Sequence, residues 1–121
     1  MKKQTRKTTP LTLAKKIASI AGDRKAIDVR VLDLRKLSSF ADFFVVCSGG
    51  SDRQVQAISG TIRDTLKTKG VLPLSEEGVN NGRWALIDYG DIVVHIFQPE
   101  ERENYQLEKF WCDAPRLTLK V

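Results

Sequence analysis

The chain has 121 residues, 41% of them hydrophobic and 29% charged, which is the balance of a single ordinary globular domain. It has no apolar run of the ~20 residues that a transmembrane helix requires, so a membrane-spanning protein is not expected. The net charge of +5 comes mainly from the first ten residues, because 16 of the 20 Lys and Arg lie beyond Pro10, against 15 Asp and Glu. A nucleic-acid-binding module with a basic stripe on its fold is therefore not expected either.

The first ten residues form a basic segment without acids, which we interpret as a disordered leader, residues 1–10. The leader is either simply solvated or attracted to a phosphate-rich partner. Its lack of an apolar segment is unlike a secretory signal. Cys47 and Cys112 form no C-x-x-C motif and have no metal-ligand spacing, so we expect a protein of the reducing cytoplasm without a metal or cofactor.

The first predicted elements are a helix and two strands. Thr9 and Pro10 are typical of a helix start, with a hydroxyl cap followed by proline at the first helical position. The partial alternation of apolar residues over 26–34 predicts a half-buried strand. The run 43–47 is apolar on both faces, which indicates an interior strand of the sheet.

The middle of the chain predicts a second helix and an edge strand. Ser51 and Gln54 have the spacing of a capping box. The buried stripe of the helix is expected to consist of Val55, Ile58, Ile62 and Leu66. The segment 71–75 predicts a short strand, and Pro73 favours an edge position for it.

The last third predicts a β-hairpin and a helical C-terminal segment. Strands at 84–88 and 91–97 are expected to flank a two-residue loop at Tyr89 and Gly90, and 100–111 reads as one or two short helices. The order of elements predicts a single α/β domain with one mixed, five-stranded sheet packed with helices.

The hairpin predicts two different faces. With the loop at Tyr89 and Gly90, Trp84 would pair with His95. One face is wholly aliphatic and must be core: Ala85, Ile87, Ile92, Val94 and Ile96. The other is rich in aromatic and polar groups, as protein interfaces are: Trp84, Leu86, Val93, His95 and Phe97. Either the C-terminal helices cover this second face and His95 is a structural residue, or the face binds a partner.

The glycine-rich loop 48–51 between the second strand and the second helix has two interpretations. It is either a tight structural turn or an anion site at a helix N-terminus. It lacks the lysine of a P-loop. A nucleotidyltransferase would also need paired carboxylates, but Asp28 and Asp33 are five residues apart on a strand and are expected to point to opposite faces.

Three long strings carry a family resemblance. The first covers 42–49 and 51–55, the second runs from Glu77 to Phe97, and the third from Glu101 to Pro115. Together they resemble the ribosomal silencing factors, also called Iojap-like proteins, over nearly the whole domain, residues 11–115. The leader and a C-terminal tail, residues 116–121, lie outside the resemblance.

The resemblance implies a nucleotidyltransferase-like fold without catalytic carboxylates, in a protein that is not an enzyme. It further implies binding of the large ribosomal subunit through ribosomal protein L-fourteen, which blocks joining of the small subunit and represses translation. We place the partner contact at the matching residues Trp84, Asp88, Tyr89, His95, Tyr105, Glu108 and Trp111. We also expect a peripheral rRNA contact by the leader and a homodimer of the free protein. The alternative is an enzyme or phosphate-binding module that uses the loop 48–51.

Overall fold

The computed structural model describes residues 9–111 and 114–117, apart from the side chain of Phe110. Most of the predicted leader, Cys112 and the end of the predicted tail lie outside the described residues. The elements in chain order are α1 (Pro10–Asp23), β1 (Ile27–Asp33), β2 (Phe43–Ser48), α2 (Asp52–Lys67), β3 (Ser75–Glu77), β4 (Trp84–Asp88), β5 (Ile92–Phe97), α3 (Pro99–Tyr105) and α4 (Leu107–Phe110).

Side-chain caps begin both long helices, as the sequence predicts. The Thr9 hydroxyl accepts a hydrogen bond from the Thr12 amide at 3.1 Å, and the Ser51 hydroxyl accepts one from the Gln54 amide at 3.1 Å. The Gln54 side chain in turn accepts from the Gly50 amide at 2.7 Å, which ties the loop to α2. The predicted stripe of α2 is confirmed, because Val55, Ile58, Ile62 and Leu66 are all buried.

The five strands form one mixed sheet in the order β1-β2-β5-β4-β3, so the predicted α/β domain is confirmed. The neighbouring strands β2 and β5 are parallel, and the other neighbouring pairs are antiparallel. The predicted interior position of β2 is also confirmed. Residues 115–117 lie along β1, where the Asp33 amide donates to the Pro115 carbonyl and the Leu117 amide to the Val31 carbonyl.

The hairpin register differs from the predicted one. Trp84 pairs with Phe97, and the loop consists of Gly90 and Asp91, closed by a hydrogen bond from the Tyr89 amide to the Ile92 carbonyl. A tight hairpin turn requires a positive φ at its first loop position, and Gly90, with φ 90°, meets this requirement without the strain that Tyr89 would incur. The register moves by two residues, so each side chain stays on its predicted face.

The edge strand begins later than predicted. It is Ser75–Glu77, and it overlaps the predicted 71–75 at a single residue. Proline has no amide hydrogen for the ladder, and pairing with β4 begins only after Pro73, with the bond from the Leu74 amide to the Asp88 carbonyl. The edge position itself is confirmed.

The sheet separates two cores. Helices α1 and α2 pack on one face, over the aliphatic side of the hairpin, and all five of its predicted core residues are buried: Ala85, Ile87, Ile92, Val94 and Ile96. The smaller core on the other face includes Leu32, Val46 and Phe97, with Leu107 and Trp111 of the C-terminal segment packed against it. This second core covers only part of its face.

Two glycines with left-handed backbones allow a matched test of the fold. A Cβ at Gly78 would lie 2.0 Å from the Trp84 carbonyl oxygen, whereas a Cβ at Gly70 would meet nothing within 4 Å. We expect Gly70→Ala to lower the free energy of unfolding by about 1 kcal/mol through backbone strain alone. We expect Gly78→Ala to lower it by about 3 kcal/mol or more, because β4 must also move. Urea unfolding measures both, and equal losses would contradict the close approach at Gly78.

Candidate protein-binding surface

The sheet face opposite α1 and α2 is only partly covered. We call its half-buried residues the open sheet face: Phe44, Trp84, Leu86, Asp88 and Val93. They lie on β2, β4 and β5, where alternation directs them away from the aliphatic core. Apolar groups that remain partly exposed side by side on a sheet are typical of a surface that binds another protein.

An aromatic cluster stands at one end of this face. The Trp84 ring stacks on Phe97 with centroids 4.8 Å apart, and Tyr105 lies against Trp84 at 4.4 Å. Trp111 meets Phe44 edge to face at 6.1 Å. Tyr105 is 55% exposed, so the cluster is accessible at this side chain. Aromatic side chains that are packed on one side and exposed to solvent on the other are common anchors of protein interfaces.

His95 lies inside the cluster and is 4% exposed. The Trp84 indole Nε1 donates a hydrogen bond to His95 Nδ1 at 3.2 Å, so the ring proton of the neutral imidazole is on Nε2. Burial lowers the pKa of His95 to about 4, which keeps it neutral near pH 7. Of the two predicted roles, the structure shows a buried residue that orients Trp84, and a partner would meet His95 only through its neighbours.

The C-terminal segment partly covers the same face. We call α3, α4 and Trp111 the C-terminal cover; α3 and α4 meet at Gln106, whose backbone is left-handed. The Glu108 side chain is 17% exposed and bonds Arg102 Nε at 2.7 Å, with Arg30 Nε at 3.5 Å. The Glu108 carboxylate thus pairs with arginines of the same chain and is mostly shielded from solvent.

The two remaining predicted residues lie elsewhere. Asp88 is on the open sheet face, but about 13 Å along β4 from Trp84 at the usual rise per residue. Its carboxylate accepts a hydrogen bond from the Gly90 amide at 2.7 Å and so caps the hairpin turn. Tyr89 turns to the other side of the sheet and packs against the core under α1 and α2, where burial raises its pKa to about 12. Four of the seven predicted residues thus belong to the aromatic cluster, namely Trp84, His95, Tyr105 and Trp111. Glu108 lies in the C-terminal cover, Asp88 lies near the hairpin turn, and Tyr89 lies on the other side of the sheet.

Sequence reasoning left three apolar members of the open sheet face out of the predicted contact. These are Phe44, whose ring contacts His95 and Trp111 in the cluster, and Leu86 and Val93, which lie nearer the hairpin turn. All three are half-buried. The alternation in β4 and β5 already placed Leu86 and Val93 on this face, and it was the signal available. Phe44 carried no such signal, because the run 43–47 is apolar on both faces.

Acidic groups border the face. Glu77 pairs with Leu86 at the edge of the sheet, and Asp91 is exposed at the hairpin turn. Asp42 lies near Asp91, and partial burial together with that negative neighbour raises the pKa of the Asp42 carboxyl above its usual value. This border favours a basic partner.

The glycine-rich loop uses its polar groups internally. The Ser48 hydroxyl accepts from Arg102 Nη1 at 3.0 Å, and the amides of Gly49 and Gly50 donate to the Phe97 carbonyl and to Gln54. A Cβ at Gly49 would lie 2.9 Å from the Val55 amide nitrogen, so close packing explains this glycine. These contacts support the interpretation as a tight structural turn.

Other groups suggest no reaction chemistry within the described residues. The buried Cys47 thiol has its pKa raised to about 12 by burial, which suits an inert core residue. Asp28 and Asp33 each bond an arginine two residues further along the chain, which lowers their pKa values. The described part of the chain contains no cluster of three potential metal ligands and no helix suited to crossing a bilayer.

The low pKa of His95 makes stability depend on pH. Unfolded histidine titrates near pH 6.5 and the folded residue near pH 4, so the unfolded chain binds more protons between these values. We expect the free energy of unfolding to fall as the pH drops through this window, by up to about 3 kcal/mol from this group.

The matched variant is His95→Gln, whose amide oxygen can still accept from Trp84 but does not titrate. Urea unfolding of both proteins between pH 7.5 and 4.5 isolates the histidine, because all carboxylates are shared. Parallel pH curves for the two proteins would show that His95 is not held neutral by burial.

The chain is similar in sequence and in structure to several known proteins. The family described as "Ribosomal silencing factor during starvation" matches residues 7–121. The chain is 43% identical over 104 residues to the Bacillus subtilis protein named "Ribosomal silencing factor RsfS", a match that covers 86% of this chain and 88% of the relative. A crystal structure of a Chromobacterium violaceum protein superimposes with a TM-score of 0.84 at 32% identity and covers 94% of both chains.

A more distant relative is the mouse protein named "Mitochondrial assembly of ribosomal large subunit protein 1". It is 31% identical over 98 residues, which cover 78% of this chain but 43% of the mouse protein. The match over residues 7–121 and the 43% identity to the Bacillus subtilis protein identify the same family. The chain belongs to the ribosomal silencing factor family.

Proposed function

We propose that this protein binds the large ribosomal subunit with the open sheet face and the exposed edge of its aromatic cluster. The observation that carries the proposal is the partly exposed apolar surface around Trp84, Leu86 and Val93, with Glu77 and Asp91 at its border. The family is one of ribosome-associated translation silencing, and the mouse relative's name refers to the large subunit.

The chemistry of the surface favours a protein partner over rRNA. Burying Leu86 and Val93 is favourable against an apolar patch, whereas a phosphate backbone would meet the acidic border formed by Glu77, Asp88 and Asp91. Ribosomal proteins are usually basic, so the acids would complement such a partner. We propose ribosomal protein L-fourteen as that partner.

Repression by such a complex needs no chemical step. A stable contact of roughly 1,000 Å² places a whole domain on the subunit surface. We propose that the bound domain excludes the small subunit sterically and so represses translation in the cytoplasm. No residue is required to act as a catalyst in this mechanism.

Two accessory proposals concern the leader and self-association. We propose that basic residues of the leader contact nearby rRNA, which would make binding weaker at high salt. The open sheet face of the free protein is also suited to pairing with a second copy, so we propose a homodimer that competes with ribosome binding.

Sucrose-gradient sedimentation with purified subunits tests the proposed function. We expect the protein to travel with the large subunit and to reduce the fraction of joined ribosomes. Capture by purified ribosomal protein L-fourteen tests the partner separately. A protein that stays at the top of the gradient, or that binds without affecting joining, would contradict the proposed mechanism.

A charge in the open sheet face should weaken binding strongly while leaving the core under α1 and α2 unchanged. We expect Leu86→Lys to weaken large-subunit binding more than about tenfold, because a lysine would be desolvated in the contact. The matched control is Leu13→Lys on α1, which is equally half-buried but packs on the opposite side of the sheet. Binding titrations of the two variants measure the difference. Equal losses would place the contact elsewhere.

A further inference from the structure

A nearly buried arginine holds the C-terminal cover in place. The Arg102 side chain on α3 is 11% exposed. Its Nε donates to Glu108 at 2.7 Å, and its Nη1 donates to the Ser48 hydroxyl at 3.0 Å and to the Ile27 carbonyl at 3.4 Å. Arg102 thereby joins α3 to α4 and to the adjoining ends of β1 and β2. The planar guanidinium donates these bonds from two nitrogens in a fixed geometry, whereas a lysine has a single ammonium nitrogen and cannot reproduce it.

The backbone of β1 is irregular beside this arginine. The register is irregular between Ile27 and Arg30, and Asp28 has a left-handed φ of 50°. The Asp28 carboxylate bonds Arg30 at 2.9 Å and lies 3.7 Å from Arg102 Nη2. A strained backbone persists where surrounding contacts determine it. These side chains form one polar network: Asp28, Arg30, Ser48, Arg102 and Glu108.

Few other contacts hold α3, the first helix of the cover, in position. None of the residues of α3 is buried, and the helix has no side-chain cap. The bond from Arg102 to Glu108 bridges the turn at Gln106 and so adds a side-chain link between α3 and α4 to the backbone bonds of the turn. Tyr105 reaches Trp84 from the end of α3, directly before that turn. The position of Tyr105 on the cluster therefore depends on Arg102.

We infer that Arg102 is a positioning residue. Its hydrogen bonds to β1, β2 and α4 hold the C-terminal cover on the sheet, and this keeps Tyr105 in place at the exposed edge of the aromatic cluster. The inference rests on the proposed function for its consequence in binding. Its structural part can be measured on the isolated protein.

Tryptophan fluorescence reports on this cover specifically, because both tryptophans of the chain, Trp84 and Trp111, lie in the aromatic cluster. The variant is Arg102→Lys, which keeps the positive charge but loses the planar set of N–H donors of the guanidinium. The matched control is Arg63→Lys, since Arg63 bonds Asp64 and Glu76 at a more exposed site, 38% accessible, on α2. We expect Arg102→Lys to remain folded by circular dichroism, with red-shifted emission and stronger acrylamide quenching. Arg63→Lys should match the wild type.

Large-subunit binding of the same variants tests the consequence. We expect Arg102→Lys to weaken binding about tenfold, as the loss of one well-placed anchor does. Combined with Tyr105→Ala, it should add little further loss, because both changes remove the same ordered edge. If Arg102→Lys fails to fold, Glu108→Gln replaces it, with the same expected direction of both readouts.

Three other outcomes have definite meanings. Wild-type emission and binding in Arg102→Lys would overturn the inference. Weaker binding with unchanged emission, fully additive with Tyr105→Ala, would also overturn it, because Arg102 would then act on the partner directly. A wild type that does not bind large subunits, with red-shifted emission in Arg102→Lys, would refute the proposed function and support the positioning role.

Discussion

The alternation of side chains along β4 and β5 is the constraint on which the rest of the structure depends. It sends Ile87, Val94 and Ile96 into the core under the long helices, and Trp84 and His95 to the opposite side of the sheet. An aliphatic face can be buried completely without polar partners, and α1 and α2 do so. The aromatic face carries polar atoms that need bonds, such as the one between Trp84 and His95, and it is covered only in part. The alternation along two strands thus yields both a buried aliphatic core and an opposite face on which apolar side chains remain partly exposed.

The C-terminal cover determines how much of that surface remains available. Leu107 and Trp111 pack against the smaller core, while Tyr105 at the end of α3 leaves more than half of its surface exposed. The first helix of the cover, α3, has no buried residue, and polar contacts of Arg102 tie it to the ends of β1 and β2. Because α3 has little packing of its own, its position should be sensitive to substitutions that remove these polar contacts.

Most of the fold could be predicted from the sequence because local signals agreed with tertiary packing. The caps at Thr9 and Ser51 and the apolar stripe of α2 were such signals. The hairpin register was predicted wrongly because the turn requires glycine at its first loop position, a constraint that the apolar pattern of the strands does not contain. The late start of β3 likewise reflects the missing amide hydrogen of Pro73.

The candidate site was predictable only as a face. Alternation grouped Trp84 with Leu86 and His95, but burial decided which of them is accessible, and burial depends on a cover from a distant part of the chain. Tyr89 entered the predicted contact through the family resemblance, which says nothing of side-chain direction, and the structure packs it against the core under α1 and α2. The bonds of Arg102 to Ser48 and Ile27 join residues 54 and 75 positions apart, which no local pattern records.

Hydrogen exchange of the protein with and without large ribosomal subunits tests the docking face most directly, because it maps the contact without altering any residue. We expect added protection in peptides from β4, β5 and α3, with α1 and α2 exchanging as in the free protein. Protection concentrated on α1 and α2, or on the loop 48–51 alone, would contradict this expectation and would place the contact on another side of the domain.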